Sequence, residues 1–97
     1  MTLPTPEAIE AARAAFDRAH ITHRAFRNWL DSCDKYRDGR GPAPNPRRRP
    51  SKNKKHEMYA EADRLLTILG WDDPRPQTLD EVGSLLNRVS SEVFARV

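Results

Sequence analysis

The sequence has a single cysteine, Cys33, so no disulfide can close within the chain, and a reducing, cytoplasmic setting is expected. It has no apolar run approaching the ~18 residues that a membrane-spanning helix requires. Met1-Thr2-Leu3-Pro4-Thr5-Pro6 lacks a charged start followed by an apolar core, so no secretory signal is expected there. No phosphate-cradling glycine loop, no nucleophile elbow and no defensible general acid and base pair can be found, so neither catalysis nor a cofactor is expected. His20, His23, Cys33 and His56 have the residue types of a metal site but not the paired short spacings, and no metal is expected. No segment alternates in the manner of a strand.

What the chain does have is charge, unevenly placed. Its 97 residues suit one domain with one small core, and 32% of them are charged. Residues 1–38 carry six basic and six acidic side chains, and residues 57–97 carry four basic and eight acidic ones. Between them, residues 39–56 carry seven basic side chains and no acidic one. Concentrating one sign in this way is the footprint of an anionic partner, although a soluble connector has the same composition.

Helical periodicity occupies the rest. Thr5 as N-cap and Pro6 at the first helical position open a first helix, with Ile9, Ala12, Phe16 and Ala19 on one face. His20-Ile21-Thr22 reads as a short turn. A second helix follows, with Phe26, Trp29, Leu30, Cys33 and Tyr36 as its apolar face, and Gly39 ends it at positive φ. Prolines at 42, 44, 46 and 50 predict an extended, non-helical connection. A third helix begins around Ser51 to Asn53, buries Met58, Ala62, Leu65, Leu66 and Leu69, and ends at Gly70. Trp71 is then placed to fold back on Leu66. Thr78 and Glu81 form a capping box for a fourth helix carrying Leu79, Val82, Leu86, Val89 and Val93. That spacing suits either the core of the chain or a homodimer seam. Gly83, inside this helix, marks a close approach by another backbone. The expected fold is all-α: one domain over residues 1–97, a compact bundle of about four helices. A basic, proline-rich loop over residues 39–52 would join the second helix to the third.

Two stretches are candidates for function. The basic strip offers Arg47, Arg48 and Arg49, whose forked donors suit phosphate, and Lys52, Lys54 and Lys55, which add point charges. No aromatic is interleaved among them, which points away from base stacking. The other stretch is the first helix pair. With Ile21 in the turn and Phe26 and Trp29 fixing the second helix, it resembles a helix-turn-helix that would present His23, Arg24 and Arg27 to phosphate or base edges. It departs from that pattern at His20, where glycine is usual, and at bulky Phe16. A plain helical hairpin fits the same residues. The expectation is a small nucleic-acid-binding protein, DNA foremost, of the size of a phage or plasmid regulator. The competing expectation is a small inhibitor or adaptor, such as phages direct against host defence, docking its basic surface on an acidic protein or a nucleoprotein.

Overall fold

The computed structural model describes residues 4–96; Met1 to Leu3, part of the stretch read above for a leader, and Val97 lie outside the described residues. The described residues form three α-helices and no strand: α1 (Pro6–Arg37), α2 (Lys52–Leu69) and α3 (Leu79–Glu92), with 3-10 turns at Pro46–Arg48 and Phe94–Arg96. The all-α class holds, and the helix count is three rather than four.

The lost boundary is the turn at His20-Ile21-Thr22, which lies inside one continuous helix. Residues 7–38 contain neither glycine nor proline, and β-branched Ile21 and Thr22 cost a helix only a fraction of a kcal/mol each. The inward face also keeps one phase across the expected break, from Ala12, Ala15 and Ala19 to His23 and Phe26. Nothing local stops the helix, and the packing rewards its continuation. Its 32 residues span about 48 Å, which matches the 50 Å long axis of the molecule.

Caps at both ends follow the sequence. The Thr5 hydroxyl accepts from Ala8 N–H, and at the far end Arg40 N–H donates to Lys35 O beside Gly39 at φ 72°. Gly70 ends α2 at φ 69°, and Trp71 N–H returns to Leu66 O at 3.0 Å. Thr78 accepts from Glu81 N–H, while the Glu81 carboxylate reaches back to Gln77 N–H, one residue before the expected Thr78.

Helix α2 lies antiparallel to α1, with Glu61 opposite Arg18 (3.1 Å) and Tyr59 near Phe26. The connection 70–78 doubles back along α2, where Arg75 donates to Asp63 O and to the Thr67 hydroxyl. Consequently α3 also runs antiparallel to α1, from Leu79 beside His23 to Phe94 edge-on against Phe16. The three helices bury Ile9, Ala12, Ala15, Ala19, Met58, Ala62, Leu65, Leu66, Val82, Leu85, Leu86, Val89 and Val93. Small alanines on α1 allow the other two helices to approach closely. The apolar seam of α3, open to a dimer on sequence grounds, is used inside this core, so a dimer on the same seam would first have to expose it.

Helix α1 is too long for its partners. Beyond Phe26 its inward face outruns the bundle, and Leu30 and Tyr36 are exposed while Cys33 and Trp29 are half-buried. Gly83 is approached by a side chain, not a backbone: a Cβ there would lie 3.1 Å from His23 Nε2.

Candidate functional site

The proline-rich connection is not a free strap. It turns at Gly39 and runs back along the overhanging end of α1, with Gly41 close to the Cβ of Lys35 and residues 41–45 facing Ala25, Asn28, Trp29 and Ser32. It thus covers the Trp29 side of α1 in place of a helix. The segment is also less extended than expected, because Asn45 caps a single 3-10 turn. Its Oδ1 accepts from Arg47 N–H at 3.0 Å, and its carbonyl accepts from Arg48 N–H at 2.9 Å. Pro46, whose fixed φ suits the first position of a turn and whose missing N–H is not needed there, starts it. The arginines are therefore presented on an ordered turn.

Ser51 then caps α2, its hydroxyl accepting from Lys54 N–H, and Lys52, Lys54 and Lys55 fall in the first turn or just after it. That turn contains no acidic residue. Cations at the positive end of a helix dipole are the unfavourable arrangement. Nor is the strip neutralised from elsewhere. Lys54 lies 3.8 Å from Glu57, but among the described residues Arg47, Arg48, Arg49, Lys52 and Lys55 have no acidic partner within ion-pair distance. Four of the eight acidic residues in the C-terminal half are paired with other cations: Glu61 with Arg18, Asp80 with Arg27, and Asp73 and Glu92 with Arg88.

Where the strip meets α2 there is a cleft of about 590 Å³, lined by Phe26, Pro46, Arg49, Pro50, Ser51, Lys52, Lys55, His56 and Tyr59. Its lining joins aromatic and prolyl groups to three cations, and no carboxylate lines it. Partial burial, and secondarily the charge of Glu81, hold the Tyr59 hydroxyl above the usual phenol range, so it is a neutral hydrogen-bonding group at physiological pH. The strip itself contains no aromatic, but folding brings two of them, Phe26 from α1 and Tyr59 from α2, to its edge. Phe26 was legible on the apolar face of its helix, and Tyr59, beside Met58, was not read as part of one. Their meeting beside Arg49 was not legible, because it depends on how α1 and α2 pair.

The helix-turn-helix fares differently. With α1 continuous there is no turn and no second helix to set in a groove. His23 is turned inward, its Nε2–H donating to Leu79 O at 2.9 Å, and Arg27 is paired with Asp80 at 2.6 Å. Of that trio only Arg24 is exposed without an ion-pair partner among the described residues. The four residues of metal-ligand type are scattered: His20 stacks on Phe16, His23 meets α3, Cys33 lies on the overhang and His56 on the cleft. Among the described residues, no three His, Cys, Asp or Glu side chains come together as a metal site would need. Among the described residues, no helix is long and apolar enough to cross a membrane.

No family model, no curated protein and no solved structure matches the chain.

Proposed function

We propose that this is a small nucleic-acid-binding protein, DNA foremost, that grips backbone phosphates with Arg47, Arg48, Arg49, Lys52 and Lys55. The observation that carries the reading is a cationic shelf, built on an ordered turn and a helix end, in which those five cations have no acidic partner within ion-pair distance among the described residues. Like charges held together without acidic partners repel one another, and α2 bears cations at its unfavourable end. An anion lying along the shelf relieves both. Because the Asn45–Pro46 turn fixes the backbone before binding, less conformational entropy is lost on docking.

The test is the triple variant Arg47→Ala/Arg48→Ala/Arg49→Ala. These side chains are exposed and lie outside the core, so each replacement is expected to change stability by less than about 0.5 kcal/mol. Helix content stays as it was. On a duplex, the log–log salt dependence of affinity becomes shallower by roughly 2 to 3 units, about one per lost phosphate contact. A native protein with no salt-sensitive affinity for any nucleic acid overturns the proposal.

One observation favours the second reading, a protein partner. Leu30 and Tyr36 are exposed on the overhang of α1, and Ile21 is 69% exposed on its outer surface. In that case the triple variant loses association rate toward an acidic protein, most strongly at low salt.

A further inference from the structure

The cleft at the junction of the strip and α2 shares Arg49, Lys52 and Lys55 with the phosphate-gripping shelf and adds aromatic side chains that this role does not use. We infer that it receives one unpaired nucleobase, stacked against Phe26 and Tyr59 while Arg49, Lys52 and Lys55 hold the flanking phosphates, so that the nucleic acid taken by this chain is single-stranded. This rests on the nucleic-acid reading and narrows it to a substrate class.

Four observations converge on that occupant. The cleft's volume of about 590 Å³ falls within the ~300–1,000 Å³ typical of sites for small organic groups. Its lining combines the half-buried side chains of Phe26 and Tyr59 with Pro46 and Pro50, apolar groups that a π-face can lie against. The lining also carries three full positive charges and no negative one, which fits a group that is apolar in its middle and anionic at its ends. Finally, Tyr59 and the exposed His56 line the same cleft, and both side-chain types can meet a base edge by donating or accepting a hydrogen bond. A duplex presents phosphates to the arginines equally well, but its bases are stacked and paired and cannot enter a cleft of this kind. An acidic peptide would satisfy the cations and leave the aromatic side chains unused. Stacking platforms beside a cationic track are the arrangement by which single strands are held without sequence preference.

The experiment compares three probes of equal length with the intact protein at one salt concentration: oligothymidylate, an abasic deoxyribose-phosphate strand, and a duplex. The expected result is oligothymidylate binding at least about tenfold tighter than the abasic strand, since stacking of a base on an aromatic is worth on the order of ten- to a hundredfold. Phe26→Leu, which keeps apolar contact with the core, and His56→Ala, which is on the surface, are expected to narrow that preference while leaving affinity for the abasic strand unchanged. Equal affinity for the abasic strand and oligothymidylate overturns the cleft assignment and leaves the phosphate-gripping strip standing. Failure of all three probes to bind at any salt overturns both.

Discussion

Gly83 offers the sharpest test of how α1 and α3 meet. Replacing a helix-interior glycine by alanine ordinarily stabilises by about 1 kcal/mol, because the unfolded chain loses freedom and the helix gains a better former. Here the new Cβ would lie 3.1 Å from Nε2 and 3.2 Å from Cε1 of His23, so the ring must give by a few tenths of an ångström. The ring is anchored by its 2.9 Å hydrogen bond to Leu79 O, a half-buried interaction worth about 0.5–1.5 kcal/mol net. The two effects are of similar size and opposite sign. Gly83→Ala alone is therefore expected to leave stability within about 0.5 kcal/mol of the native protein. In a His23→Ala background the obstruction is gone, and the same substitution is expected to stabilise by about 1 kcal/mol. Urea denaturation of the four proteins of the double-mutant cycle gives a coupling of about 1 kcal/mol between the two sites. If Gly83→Ala stabilises by the same ~1 kcal/mol in both backgrounds, His23 does not pack on α3 and the helix pairing described above is wrong.

Three further perturbations test other parts of the structure. Leu86, 3% exposed in the centre of α3, is expected to cost about 2–5 kcal/mol on truncation to alanine, and a variant that melts with its parent would place this face outside the core. Gly70→Ala meets no atom within 4 Å but must adopt φ 69°, so the expected loss is about 1 kcal/mol from conformation alone, and Gly70→Asn should lose less. Tyr59 is held above the ordinary phenol value of 10.0 in the folded state, mainly by burial. As pH rises past that value the unfolded chain loses its proton first and stability falls, while below it this group adds no pH dependence. Tyr59→Phe should consequently make the alkaline limb of a denaturation profile shallower than that of the native protein, and an unchanged limb would show that the ring is fully solvated.

Much of this molecule was legible locally because its signals are local. The caps at Thr5, Ser51 and Thr78 and the stops at Gly39 and Gly70 depend on one or two neighbouring backbone groups, and they stand where the sequence puts them. The Trp71 return to Leu66 is of the same kind, although the cation of Arg88, 4.7 Å over the indole ring, came from α3 and had no local sign. The division at residues 20–22 failed because it rested on reading His20-Ile21-Thr22 as a turn with Thr22 able to cap a second helix. The physical indicators, no glycine or proline and an unbroken apolar phase, favoured continuity throughout.

The sequence by itself determined that the chain is helical, where α2 begins and ends and where α3 begins, which faces of α2, α3 and the first half of α1 enter the core, and that one stretch carries cations without acids. These follow from side-chain periodicity, backbone preferences and charge, all properties of residues a few positions apart. Tertiary packing decided what the cations stand next to. His23 and Arg27 were taken out of contention because α3 lies against them and supplies Leu79 O and Asp80 as partners. The strip gained an aromatic neighbour because antiparallel pairing of α1 with α2 brings residues 26 and 59, more than thirty positions apart in the chain, to one cleft. No local preference encodes such a meeting. It arises because α1's apolar stripe has to be buried by both shorter helices at once, and that requirement fixes where the basic loop is laid down.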